Sequence, residues 1–198
     1  TEGSSNTAIG YSSLEQNATG VDNTAVGQGA LYKNTTNSNT AVGKDAMCAT
    51  TDGTRNVALG NAALNKNVGG AYNIGIGSLA LCANTSGEYN TAVGGYVKRL
   101  ATTGCYNVAL GYSAGYSTTI GNSNISIGMQ TLYNNITGGC LVAVGEKALC
   151  SNTWESYSTA VGHQALMTSV SGESNTAVGF RALCKSDAHG NNAFGASA

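Results

Sequence analysis

The stretch "NTAVGQGALYKNTTNS" occupies residues Asn23–Ser38, and at Asn39 the chain begins the phrase again as "NTAVGKDAMCATTDGTR". The five-residue opening recurs twelve times, as NTAIG at Asn6, NVALG at Asn56 and Asn107, NIGIG at Asn73, and so on to NNAFG at Asn191. Its closing glycines run from Gly10, Gly27 and Gly43 to Gly179 and Gly195. Nine of the eleven steps between them are 17 residues and two are 16. A period this strict is the signature of stacked repeats, each unable to bury its apolar side alone. The 198 residues therefore read as a single repeat array, 1–198, without a linker.

Counting from the closing glycine, the residue before it is always apolar, and the residue three before it is Thr, Val or Ile except at Asn192. Between them stands Ala in ten repeats, Gly75 in one and Ser126 in another. Alternation with β-branched residues predicts a short strand whose β-branched and apolar positions face inward and whose Ala faces outward. Four residues after the glycine comes a column of Leu or Met, interrupted by Lys98 and Gly115 and preceded by small residues. This predicts a second short strand. Ten after the glycine, a further Gly appears in eight repeats, which suits a turn. Two strands and two turns per repeat make an all-β chain, a β-solenoid or β-roll of about twelve 17-residue coils. At ~4.8 Å per coil it is a rod of roughly 55 Å. The Asn that opens ten of the twelve coils predicts a ladder of side-chain amides hydrogen-bonded along the stack.

Three apolar side chains per coil are a thin core for 17 ordered residues. Columns of outward-facing Ala, kept small, point to a second copy of the chain packed against them around a symmetry axis.

The phrase Asn-x-Val/Thr-Ala-Ile/Val-Gly at this period, most closely at Asn56–Gly60 and Asn107–Gly111, resembles the head repeats of trimeric autotransporter adhesins (YadA-like heads). It is also similar to repeats of tailed-phage fibre proteins. The resemblance covers essentially the whole chain. It implies a left-handed β-roll, a homotrimeric fibre, and an adhesive or receptor-binding role at a cell surface or on a virion. The adhesin repeat is typically nearer 14 residues, so the loops here are longer.

Composition argues against other classes. There is no proline, net charge is −1, and charged residues make up 10% of the chain, too few for a nucleic-acid footprint. No apolar run reaches the ~20 residues of a membrane span, and the sequence opens without a signal peptide, as if cut from a longer array. No catalytic constellation, cofactor motif or metal-ligand spacing is seen. His163 reads as a turn residue, and Cys184, Asp187 and His189 in one loop are a weak site. The chain is expected to be neither an enzyme nor a cofactor protein.

Six cysteines form two groups: Cys48, Cys82, Cys150 and Cys184 share the fifth slot after the glycine, and Cys105 and Cys140 lie in the returning loop. The first pair and the last pair in the fifth slot are each about two coils apart, beyond disulfide reach. Any bridge would join that slot to Cys105 or Cys140, within or between chains. Five Asn-x-Ser/Thr sequons occur, four of them in a loop column expected to be exposed (Asn17, Asn34, Asn84, Asn135) and one at Asn124. Tyr72, Tyr89 and Tyr106 share a slot and form either a sugar-binding stripe or a stabilising stack.

The break in the Leu column carries the candidate contact site. Lys98 is expected to turn outward with Arg99 while Leu100 plugs the core. Tyr96, Tyr106, Tyr112 and Tyr116 would cover the weakened coil. Together with Lys98 and Arg99 they are the candidate contact for a cell-surface glycan or receptor, the alternative being a tolerated repeat defect. Rival readings of the whole chain are a passive self-assembling filament or surface-layer subunit, growing end to end, and an ice-binding solenoid. The interchange of Thr with Val and Ile, typical of an inward column, speaks against ice binding.

Overall fold

In the computed structural model, which describes residues 3–169 and 171–198, the chain is a β-solenoid of about eleven turns. Each repeat contributes one three-residue strand, from β1 (Thr7–Ile9), β2 (Thr24–Val26), β3 (Thr40–Val42) and β4 (Val57–Leu59) to β12 (Asn192–Phe194). The twelve strands pair in parallel, in sequence order, as one sheet. The register is the repeat itself: Val57 lies beside Ile74, Ala58 beside Gly75 and Leu59 beside Ile76. No helix occurs among the described residues.

The strand faces the opposite way from the sequence expectation. From β2 to β11 the central Ala, Gly or Ser is buried in every strand, and the residues on either side are half-buried or exposed. The cause is steric. A Cβ built on Gly75 would lie 3.2 Å from Leu64 Cγ and 3.4 Å from Ala80 O. The space inside each strand is already filled by the leucine of the preceding coil, so only Ala, Gly or Ser fits. Ala is small because it faces the core, not because a neighbour packs on it from outside. The Ala column before the leucines, expected to face outward, is buried too: Ala30, Ala46, Ala63 and Ala80 are all inaccessible.

The expected second strand is absent. Leu31, Met47, Leu64 and Leu81 are buried as anticipated, but they sit at φ of 49–51° in consecutive turns. Bulky residues rarely take this left-handed conformation. Here coil-to-coil bonds hold it. Leu64 N–H donates to Ala80 O at 2.9 Å, and Leu64 O accepts Asn67 N–H at 3.0 Å. The glycine corner needs glycine on two counts: Gly60 has φ +135°, and a Cβ there would meet Gly77 O at 2.6 Å.

Half of the interior is polar. The motif Asn residues form the expected ladder: Asn73 Oδ1 accepts Asn90 N–H, and Asn90 Oδ1 accepts Asn107 N–H. From Asn6 to Asn124 each amide also donates to the glycine-slot carbonyl of the same turn, as Asn90 Nδ2 does to Gly104 O at 2.8 Å, whereas Asn175 Nδ2 turns back to Gly172 O. A second ladder, seven residues after the glycine, caps the same carbonyls from the other side: Asn84 Nδ2 donates to Gly87 O and Asn135 Nδ2 to Gly138 O. This is the column of sequons expected to be exposed. Asn34, Asn84 and Asn135 are instead completely buried, Asn124 nearly so, and only Asn17 is partly accessible. Buried amides need these partners.

One of the two 16-residue coils loses its missing residue without disturbing this wiring. In the coil after Gly27, Thr36 takes the glycine slot and its carbonyl accepts Nδ2 of both Asn23 and Asn34.

Candidate functional site

The one break in the leucine column is where the molecule departs from its own pattern. Two residues change together. Lys98 occupies a leucine slot, and Gly115 occupies the same slot one coil later. Lys98 does not turn outward as expected. It is 2% exposed, while Leu100, the expected plug, is 41% exposed. The lysine stem runs beside the space a side chain at Gly115 would fill: a Cβ there would lie 3.2 Å from Lys98 Cγ and 3.5 Å from both Ser126 Oγ and Thr118 Oγ1. A long flexible stem has replaced the second leucine. The apolar core is divided at this point, one cluster ending at Ala114 and the next starting at Leu132. Burial drives the Lys98 ammonium down to about 7.

Next to Lys98 in the chain, Arg99 stands among a cluster of tyrosines. Val97 and Lys98 are both buried, whereas Arg99 is half-buried and Tyr96 exposed. Arg99 Nη1 donates to Tyr116 OH at 2.8 Å. Its guanidinium carbon lies 5.8 Å from the Tyr96 ring centre and 6.0 Å from that of Tyr116, within cation–π range. Tyr133 stacks on Tyr116 at 5.0 Å, and Tyr112 meets Tyr96 edge to face at 5.8 Å. The Tyr112 ring lies beside Gly95, where a Cβ would sit in ordinary contact with it at 3.6 Å. Its hydrogen bond to Tyr116, followed by the nearby phenols and the Cys82 thiol, raises the Arg99 pKa and keeps the group charged. Among the described residues the only ion pairs join Glu146 to Lys147 and to His163. Arg99 thus has no carboxylate partner.

Of the six residues expected at the contact, the structure brings Tyr96, Arg99, Tyr112 and Tyr116 together, buries Lys98 in the interior column, and puts Tyr106 elsewhere. Tyr106 belongs to a separate ladder, with Tyr72–Tyr89 at 4.8 Å and 8° and Tyr89–Tyr106 at 5.2 Å and 3°. Arg55 ends that ladder, its guanidinium 5.3 Å from the Tyr72 ring and bonded to its hydroxyl. Tyr72 and Tyr89 are thus covered on both faces, Tyr106 keeps its outer face exposed, and the ladder stabilises its loop column. Tyr133 was missed, although it stands one repeat after Tyr116 in the same slot.

The cysteines are free thiols. Burial raises the pKa of Cys48, Cys82 and Cys150, which makes them poor nucleophiles. Cys105 Sγ accepts Glu88 N–H at 3.3 Å. In the loop of Cys184, Asp187 and His189, the imidazole Nδ1 is occupied by Glu173 N–H at 3.1 Å. No group of His, Cys, Asp and Glu among the described residues could hold a metal ion, and no helix long and apolar enough to cross a membrane occurs among them.

The chain matches no protein-family profile, no curated protein and no solved structure.

Proposed function

We propose that the chain is a structural and adhesive segment of an extracellular or virion fibre, in which three copies pack as a homotrimer through the outer face of the sheet. The observation that carries this reading is the character of that face. The residue before the corner glycine is apolar in all twelve strands and forms one outer column along the sheet, in which Ile9, Leu59, Val93 and Ile127 are large and exposed, and exposed Val57, Ile74 and Ile125 widen it from the parallel column. An apolar strip of this length is unusual on a monomer and typical of an interface. The Ala columns are interior, so their outward-facing neighbours are the surface available for association. The resemblance to fibre repeats supports three copies rather than two.

Light scattering on the purified chain is the test. A trimer is expected at micromolar concentration, and Leu59→Lys with Val93→Lys should give a monomer with an unchanged circular dichroism spectrum. A wild-type monomer would overturn the trimer. End-to-end growth into filaments would favour the passive filament instead.

A second reading rests on one observation. Thr24, Thr40, Thr91, Thr159 and Thr176 lie in the outer column of the sheet, so the sequence argument against ice binding, that this column faces inward, no longer holds. Thermal hysteresis in a monomeric preparation would support it. Bulky Leu59, Leu110 and Phe194 in the adjacent column make a poor lattice match.

A further inference from the structure

We infer that the cluster of Tyr96, Arg99, Tyr112 and Tyr116 is a binding site for an acidic sugar, with a carboxylate on Arg99 and the pyranose against Tyr112. This rests on the adhesive reading above and names the ligand class of that reading.

Three features lead to a ligand with a negative charge. Arg99 is held in position by two ring faces and one hydroxyl, so little side-chain entropy is lost on binding. Only one of its N–H donors is used within the chain. No carboxylate of the described chain lies within ion-pair distance of it. A guanidinium with an open fork next to aromatic rings matches a carboxylate bidentately.

The rest of the cluster selects a sugar over a peptide. Peptides commonly dock on a sheet edge through backbone hydrogen bonds. Here alternate backbone N–H groups are paired along the stack, Tyr96 to Ser78 O, Lys98 to Ala114 O, Leu100 to Tyr116 O, Ser113 to Gly95 O and Ser117 to Tyr133 O, which leaves no open strand edge. A ligand therefore binds mainly through side chains. Those on offer are a guanidinium, phenol hydroxyls and ring surface. Tyr112 is 55% exposed and stands over a glycine, which leaves its ring free to take the C–H face of a pyranose. Tyr116 OH accepts from Arg99 and keeps its own proton to donate to a ring hydroxyl. The site lies on the turns after the glycine corner, not on the outer face of the strands, so it does not compete with the face proposed for trimer packing.

The ladder of Arg55 with Tyr72 supplies an internal control. It repeats the arginine–tyrosine bond, but its rings are stacked face to face and it has no equivalent of Tyr112.

The test is titration calorimetry on the whole chain with tetragalacturonate, sialyllactose, neutral tetragalactose and hexaglutamate, with light scattering on each sample. At least one of the two acidic sugars is expected to bind saturably, and the neutral sugar and the acidic peptide to bind at least about tenfold more weakly. Arg99→Gln should weaken the sugar by about tenfold or more, since a charge-assisted bidentate pair is lost. Gly95→Leu, which displaces the Tyr112 ring and leaves Arg99 intact, should weaken it as well. Arg55→Gln should bind like wild type. Equal binding by wild type and Arg99→Gln overturns the inference, as does hexaglutamate binding as well as the sugars, or no binding by either acidic sugar. A trimer that binds neither sugar refutes the site and leaves the fibre reading standing. A monomer that binds refutes the trimer and leaves the site.

Discussion

Gly115 stands one coil after Lys98 in the same interior column, and a Cβ on the glycine would lie 3.2 Å from the lysine Cγ. The two substitutions are a pair. A leucine at position 115 would collide with the lysine stem, and a glycine there without the lysine would leave a hole. The pair explains why the coil closes normally although both expected leucines are missing.

Lys98→Met should stabilise the protein at neutral pH and below. The ammonium is lowered by burial from 10.5 to about 7. The unfolded chain therefore binds more protons than the folded one between those values, and wild-type stability rises with pH from about 7 upward. Below pH 7 the penalty is fully present, on the order of 5 kcal/mol for a shift of this size. Raised thiols at Cys48, Cys82 and Cys150 act the other way: their stabilisation is lost as the pH climbs past the ordinary thiol value of 9.0. A urea series from pH 6 to 9 should show a rising slope in wild type and none in the variant.

Glu155→Gln should also stabilise. Glu155 occupies a glycine slot, is 1% exposed, and leaves Oε1 without a partner. Burial raises its pKa above 4.5. The raised acid favours folding only at pH below the ordinary carboxylate value, and that advantage is lost as the pH rises through the folded value. A neutral amide keeps the contact with Asn152 and removes the charge. Melting temperature at pH 7 should increase. No increase would mean that the carboxylate is solvated through the loop.

Asn90→Ala should cost about 2–4 kcal/mol, because it leaves Asn107 N–H and Gly104 O without their buried partner. Hydrogen exchange should locate the damage, with the Asn107 amide losing protection first and distant coils keeping theirs.

Ala58→Glu should prevent the coil from closing. The residue is completely buried against the leucine column, and an unpaired carboxylate there has no acceptable position. Loss of the β signal in circular dichroism is expected. A folded but dissociated chain would return Ala58 to the outer surface and contradict the fold.

Expression with secretion through a glycosylating host should modify Asn17 at most. Asn34, Asn84 and Asn135 are buried and hydrogen-bonded once the chain has folded. Peptide mass mapping would detect a glycan on any of them.

The repeat, the strand positions, the interior leucines and the amide ladder were legible in the sequence because each is a column at fixed spacing. The facing of the strand was not. Alternation establishes that Ala and its neighbours point to opposite sides, but the choice of inside depends on how much room the other wall leaves, and that room is taken by Leu64 and its equivalents. The rule that large apolar residues go inside failed for Val57 and Leu59 because the coil is too thin to hold them. The turn at Leu31 was missed for a related reason: a leucine at positive φ is disfavoured locally and held only by bonds to the next coil. At the candidate site, the break at Lys98 and Gly115 was visible, but the stem of Lys98 running into the gap at Gly115 was not. Tyr133 and Gly95 needed the columns to be aligned past the residues that looked unusual.

The Thr36 coil shows how this architecture tolerates change in length. A residue was dropped from the outer loop, yet the carbonyl that the two asparagines need is still supplied. Because each coil bonds only to the one before and the one after, gain or loss of a whole repeat leaves every other coil as it was. Length can therefore evolve in quanta of one coil, each worth ~4.8 Å of reach. Such events would move the arginine–tyrosine cluster nearer to or further from either end of the rod, like a mark sliding on a ruler, without altering any contact within it.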